Sequence, residues 1–142
     1  YWGIAYMSLS LCQVLCAYDD SFGAGLLDAL GQVVFDEQVT LLIAYDSEYP
    51  EPLHSKRDTP DCAGVALLLT PQKTARSLAQ LTLRSTAEMA QKMADPDLEN
   101  LRTAIPALRV LPLLQMLAKG ESGTVCLDYL APMQLSVDLQ LC

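Results

Sequence analysis

Apolar and polar positions along the chain follow two different periods, and the change between them outlines the first half of the fold. From Phe22 onwards the apolar residues recur at helical spacing, which predicts a helix that begins there. Unbroken apolar runs of strand length follow at residues 40–46 and 63–71, and residues 78–85 predict a further strand. A short β-rich run at residues 12–18 precedes the helix. The order strand, helix, strand predicts a βαβ unit with its apolar strands buried in a parallel sheet.

The second half of the chain is predicted to be helical and to end in a hairpin. Residues 87–93 favour a helix, residues 95–97 interrupt the pattern, and a longer helical segment follows up to Gly120, which we expect to cap it. Two alternating runs then flank Ala131 and Pro132, which is typical of a β-hairpin.

The remaining segments connect these elements. Residues 1–10 are interpreted as the end of a helix or an apolar connector. Residues 47–62 contain three prolines, mixed charge and no periodicity, which predicts a surface loop. The whole chain, residues 1–142, is therefore predicted to form one α/β domain with helices packed on a mixed, mostly parallel sheet and a C-terminal hairpin.

The composition narrows the class of protein. With 142 residues, of which 51% are hydrophobic and 18% charged, the chain can bury the core of one domain. Nine Lys and Arg against 17 Asp and Glu give a formal charge of −8. This charge argues against nucleic acid as a partner, because binding to the phosphate backbone needs clustered cations. An acidic surface favours solubility or basic partners.

The cysteines and the first residues of the chain indicate its cellular compartment. The cysteines are odd in number and widely spread: Cys12, Cys16, Cys62, Cys126 and Cys142. No signal-peptide pattern opens the chain, and no apolar run approaches the roughly 20 residues of a membrane span. We therefore expect free thiols, no membrane span and a cytoplasmic location. The chain starts at Tyr1 within apolar periodic sequence, so we expect it to be part of a longer gene product.

The turn before the first long helix contains the main candidate catalytic residues. Ser21 lies where a nucleophile would meet the positive end of the helix dipole. Position 19 is Asp, however, where a nucleophile elbow has glycine, and the only histidine, His54, lies in the proline-rich loop. Asp19 and Asp20 could form an acid/base pair, but adjacent side chains point in different directions in an extended segment and would not converge on one substrate. We therefore favour a helix cap from Asp20 or Ser21 over Ser–His catalysis.

Two further patterns have structural interpretations. Cys12 and Cys16 are spaced to suit a metal only on a helix, so we interpret them as buried thiols and predict no metal site. Gly23 and Gly25 lack the pattern of a phosphate-binding loop, and we expect them to permit close packing of the helix. No cofactor is predicted.

The order of these segments resembles a known family. CQVLCAYDDSFGAGLLDALGQVV, then TLLIAYD and AGVALLLTP, resemble the part of a β-ketoacyl synthase that carries the interface strand, the cysteine elbow, its helix and two later strands. The resemblance covers most of residues 1–85 and implies a thiolase-like half domain. More specifically, the chain resembles the chain length factors found beside true ketosynthases in bacterial aryl polyene and related polyketide pathways.

The chain differs from the family at the positions of the catalytic residues. An active ketosynthase reads approximately T-A-C-S-S at the elbow, and the alignment sets Tyr18, Asp19, Asp20 and Ser21 across that motif, with Asp20 at the cysteine. The family's two catalytic histidines have no counterpart, since His54 lies in the wrong region. The resemblance therefore implies a degenerate elbow with no catalytic residue, in a chain that does not condense acyl units by itself.

The resemblance also implies partners. In a thiolase-like dimer the strand before the elbow pairs with its counterpart, so we expect the interface to contain Gln13, Val14, Leu15, Cys16 and Ala17, with Tyr18 and Phe22 beside them. The implied partners are an active β-ketoacyl synthase in a heterodimer and an acyl carrier protein, and a homodimer is possible. An ordinary central strand at residues 12–18 would show the same pattern.

Two other functions stay open at this point. A degenerate acyl-thioester or ester hydrolase would use Ser21. A stand-alone acidic interaction domain would need no active residue at all.

Overall fold

The fold of residues 2–142 is taken from a computed structural model. Its helices are α1 (Trp2–Ala5), α2 (Ser21–Phe35), α3 (Pro96–Ala104) and α4 (Leu111–Lys119), with 3-10 helices at Tyr18–Asp20 and Pro106–Val110. Its strands are β1 (Thr40–Asp46), β2 (Ala63–Leu69), β3 (Ala79–Thr86), β4 (Gly123–Leu127) and β5 (Gln134–Leu141).

The strands form two antiparallel sheets. Strands β1 and β2 form a two-stranded ribbon, and β3, β5 and β4 form a three-stranded sheet in that spatial order. The strands expected after α2 and the terminal hairpin are confirmed. The mostly parallel sheet is wrong for these residues, because the loop after β1 returns the chain antiparallel and residues 11–17 form no strand. Without a strand before α2 there is no βαβ crossover.

The helix predictions are confirmed in part. Helix α2 begins at Ser21, one residue before the expected position, and Gly120 ends α4 in the left-handed region with φ 66°. Residues 87–93 are not helical, and this prediction was wrong. Here the Gln91 N–H donates to the Cys126 carbonyl and the Met93 N–H donates to the Glu99 carboxylate. These long-range hydrogen bonds replace the local ones that a helix would need.

Helix α2 lies in the middle of the core. Phe22 and Leu26 on this helix cluster with inner residues of the three-stranded sheet such as Val137, and the inner residues of the β1–β2 ribbon pack against the same cluster. A Cβ on Gly23 would stand 2.5 Å from the backbone oxygen of Asp128, so a hydrogen is required at this position. The expected role of Gly23 in close packing is confirmed. This packing fixes the start of α2 against the loop after β4.

Candidate functional site

The turn that leads into α2 is the segment that the sequence resemblance predicts to be the elbow, and we call residues 18–21 the elbow turn. Tyr18 opens it with φ 55°, a left-handed conformation that is uncommon for a non-glycine residue. One 3-10 turn follows, and α2 starts at Ser21. The chain therefore bends sharply before a helix N-terminus, as the sequence predicted.

The Ser21 hydroxyl is engaged by the backbone of the turn itself. It accepts a hydrogen bond from the Ala17 N–H at 2.9 Å and donates one to the Tyr18 carbonyl at 2.7 Å. Neither Asp20 nor Ser21 accepts from the first N–H groups of α2, so the capping prediction was wrong. Ser21 instead closes the preceding turn. Within residues 2–142 its hydrogen bonds do not include His54, whose buried Nδ1 has no partner.

Asp19 and Tyr18 are held by a residue from the proline-rich loop. The Arg57 guanidinium forms an ion pair with the Asp19 carboxylate and lies over the Tyr18 ring, 3.9 Å from its centroid. Partial burial lowers the pKa of Arg57, but the hydrogen bond to Asp19, the charge of Asp19 and the interactions with Tyr18 together outweigh burial, so the pKa is raised. The loop at residues 47–62 is thus anchored to the elbow turn by charge and stacking.

Asp20 faces a different set of charges. Burial raises the pKa of its carboxyl above the ordinary value, and the Arg109 guanidinium opposes this rise. The carboxylates of Asp128 and Asp19 raise the pKa further. Within residues 2–142 the Asp20 side chain makes no hydrogen bond. Asp20 is therefore a partly desolvated carboxyl group under the influence of one cation and two anions.

Behind Asp20 lies an ion-pair network that joins three segments. Arg102, only 4% exposed, donates to the Glu99 carboxylate at 2.7 and 2.8 Å and pairs with Asp128 after β4. Arg109 reaches the same Asp128 carboxylate at 3.0 Å, while its buried Nε has no partner. The hydrogen bond from Arg102 lowers the pKa of Glu99 to about 2, helped by the Met93 N–H and opposed by partial burial.

Sequence reasoning missed this network. Two signals were available: Glu99 and Arg102 have the spacing of an ion pair on one helix face, and Arg109 is a single charge in an apolar stretch that needs a partner. The partner Asp128 is distant in the chain, and its approach depends on the packing of β4 against the helices.

The segment before the elbow turn, residues 11–17, has no regular secondary structure, and all of its residues except the half-buried Ala17 are exposed. Leu11 and Val14 are largely exposed, and within residues 2–142 the N–H groups of residues 11–16 have no hydrogen-bond partner. The strand expected here is absent. Cys12 and Cys16 are exposed rather than buried, which corrects that interpretation.

One residue of the expected interface faces inward. Phe22 is 1% exposed and belongs to the chain's own core, so the expectation that it contacts a partner is wrong. The side chains of Gln13, Val14, Leu15 and Cys16 are exposed, as is Tyr18. Among residues 2–142 no three His, Cys, Asp or Glu side chains are grouped as a metal site. No helix in that range is long and apolar enough to cross a membrane.

The geometry defines a mixed α/β domain with a charged turn at the start of its core helix. The family model for the N-terminal domain of β-ketoacyl synthases matches residues 1–128, so the chain belongs to the β-ketoacyl synthase-like family. No curated protein and no solved structure matches the chain.

Proposed function

We propose that this chain is a non-catalytic, ketosynthase-like subunit of the chain length factor type. It pairs with an active β-ketoacyl synthase, shapes the tunnel for the growing chain and assists the presentation of acyl carrier protein, in aryl polyene or a related polyketide synthesis. One observation supports the proposal: in this family member the turn before the core helix carries a carboxylate, Asp20, at the position where the sequence resemblance implies the nucleophile.

The chemistry around Asp20 supports the absence of acyl transfer. A carboxylate cannot form a thioester with an acyl chain. The neighbouring hydroxyl of Ser21 both accepts and donates a hydrogen bond within the turn, and no side chain activates it as a base would. The Asp19 carboxylate forms an ion pair with Arg57.

The segment at residues 11–17 supports the pairing. Its apolar side chains are exposed, and within residues 2–142 the N–H groups of residues 11–16 have no hydrogen-bond partner. Apolar side chains and backbone donors exposed in this way are an aggregation hazard unless another chain covers them. A partner strand would satisfy the backbone donors and cover Val14 and Leu15. The side chains that would face the partner are Gln13, Val14, Leu15 and Cys16, with Tyr18 at the end.

The test of the chemistry is an acyl-transfer assay on the purified chain. Incubation with malonyl and acyl carrier protein should give no covalent adduct by intact mass and no carbon dioxide above a heat-treated control. The Asp20→Cys variant of residues 1–142 should also fail to condense acyl units, because their one histidine, His54, lies in the proline-rich loop. Release of carbon dioxide or an acyl adduct by the unmodified chain would overturn the non-catalytic assignment.

The test of the pairing is co-expression with an active β-ketoacyl synthase of an aryl polyene or related polyketide pathway. The two proteins should co-purify as a complex whose interface buries at least about 1,000 Å². A chain that stays monomeric in the presence of that ketosynthase would instead support a stand-alone acidic interaction domain.

A further inference from the structure

Two cysteines lie close together in the chain just before the elbow turn. Cys12 and Cys16 are both exposed, and the three residues between them include no proline. Among the described residues, the backbone groups of residues 11–16 make no hydrogen bond, so none has to break before the two thiols approach each other. Exposed thiols that can meet in this way form a candidate site of oxidative modification.

The other three cysteines are less suited to such a reaction. Cys126 is buried, and burial followed by the Glu88 carboxylate raises the pKa of its thiol, which disfavours the reactive thiolate. Cys62 and Cys142 are exposed but lie far from any other exposed cysteine in the chain. The entropic cost of closing a loop rises with its length, so the two cysteines before the elbow turn have the shortest loop to close.

A disulfide and an extended strand exclude each other at these two positions. A disulfide needs its two Cα atoms about 4.4–6.8 Å apart. Positions four residues apart in a β-strand are separated by about 13 Å, at a rise of about 3.3 Å per residue. A single helical turn brings the same positions to about 6 Å along its axis. A bond between Cys12 and Cys16 would therefore contract the segment and remove the extended form that a partner strand needs.

We propose that Cys12 and Cys16 are a site of oxidation by peroxide, which joins them in an intramolecular disulfide and thereby prevents residues 11–17 from pairing with the ketosynthase. The effect on pairing rests on the proposed function, whereas the formation of the disulfide does not. Because coupling between two equilibria is reciprocal, pairing with the ketosynthase protects both thiols from oxidation.

The reaction consumes one hydrogen peroxide for each pair of thiols. The thiolate of one cysteine attacks the O–O bond, which breaks to give a sulfenic acid and a hydroxide that takes up the thiol proton as water. The second sulfur then attacks the sulfenic sulfur, so that the S–S bond forms, the S–O bond breaks and a second water leaves with the remaining thiol proton. Two electrons pass from the thiols to the peroxide, and dithiothreitol reverses the product by thiol–disulfide exchange.

The first measurement is made on the chain alone. The reduced chain is treated with a slight excess of hydrogen peroxide, the remaining thiols are alkylated, and unreduced peptides are mapped by mass spectrometry. Cys12 and Cys16 should be joined within one peptide that has lost two hydrogen atoms, while Cys62 and Cys142 carry the alkyl group. A sulfinic acid at either position, a bond to Cys62 or a disulfide between two copies would overturn the proposal.

The second measurement tests the effect on pairing. The oxidised chain, freed of peroxide, should bind the active ketosynthase at least about tenfold more weakly than the reduced chain, and dithiothreitol should restore the affinity. The Cys12→Ser variant cannot form the bond, so its affinity should be the same before and after peroxide. The Cys62→Ser variant is the matched control and should lose affinity on oxidation as the unchanged chain does.

The outcomes separate this inference from the proposed function. Equal binding by the reduced chain and by a chain with the mapped disulfide would overturn the inference and leave the proposed function intact. A reduced chain that does not bind would overturn both the proposed function and the effect on pairing, whereas the peptide map decides the disulfide by itself. Thermal melting of the oxidised chain should be unchanged, since the segment is exposed and has no regular structure. A lower melting temperature would attribute the lost binding to unfolding and would contradict the proposal.

Discussion

At the scale of single residues, the polar side chains of the elbow turn have separate functions. Asp19 forms an ion pair with Arg57, Ser21 forms two hydrogen bonds to backbone atoms, and Asp20 has neither kind of partner. Stability at this turn should therefore depend on Ser21 and not on Asp20. A carboxylate with a pKa raised by burial gains little from its charge.

The Ser21→Ala variant should lower the free energy of unfolding by about 1 kcal/mol, since two hydrogen bonds that close the turn are lost. The Asp20→Asn variant, which keeps the shape of the side chain, should change it by less than about 0.5 kcal/mol. Urea denaturation of both variants measures the difference. A loss in Asp20→Asn as large as that in Ser21→Ala would contradict this division of roles.

At the scale of elements, helix α2 has no space for a larger residue at Gly23 near its start, but has space for one at Gly31 near its end. A Cβ on Gly23 would meet the Asp128 backbone, whereas a Cβ on Gly31 would have no atom within 4 Å. The two glycines lie in the same helix and differ in this respect. They form a natural matched pair.

Replacement of Gly23 by Ala should destabilise the fold by about 1–3 kcal/mol, because the backbone of the loop after β4 must move. Replacement of Gly31 by Ala should stabilise it by about 0.5–1 kcal/mol, since helix interiors favour Ala. Thermal melts of the two variants test the expectation. Shifts of the same sign would show that the loop does not pack on α2 as described.

The proposed role of residues 11–17 in association can be tested by substitutions at Val14 and Leu15. The Val14 N–H has no partner within residues 2–142 and its side chain is 92% exposed. Val14→Pro should therefore leave the melting temperature of the isolated chain unchanged but abolish association with the ketosynthase, because proline removes a ladder donor. Val14→Ala, which keeps the N–H, should weaken association much less. Leu15→Lys should act like the proline, by placing an unpaired charge in a buried contact.

At the scale of the whole molecule, the Arg102 network connects α3, the 3-10 helix at Pro106–Val110 and the loop after β4. These segments are brought together on one side of the core. The network therefore couples the second half of the chain to the elbow turn, through Asp128 and its contact with Gly23.

The network predicts how stability changes in acid. The pKa of Glu99 is lowered from 4.5 to about 2 in the folded chain, so its contribution is complete above pH 4.5 and is lost as the pH falls towards about 2. The Glu99→Gln variant should lose about 1–3 kcal/mol at pH 7 and show a smaller further loss in acid. Glu121→Gln, at an exposed position, is the control and should behave like the unchanged chain. A parallel pH profile for the Glu99 variant would contradict the role of Glu99.

The sequence by itself determined the elements whose signals are local. Helical spacing located α2, the apolar runs located β1 and β2, and Gly120 marked the end of α4, since each of these depends on periodicity or on a single backbone preference. The same local patterns located the turn before α2.

The tertiary structure decided what depends on distant partners. Strand direction, the loss of a helix at residues 87–93 and the ion pairs of Asp128 all follow from contacts between residues far apart in the chain, which no local pattern encodes. The runs in β1 and β2 predicted burial on both faces, but only packing could show that α2 covers one face and that Ile43 lies on the other. An apolar run indicates that a strand face is suited to burial. Whether other elements of the same chain bury that face depends on the tertiary packing.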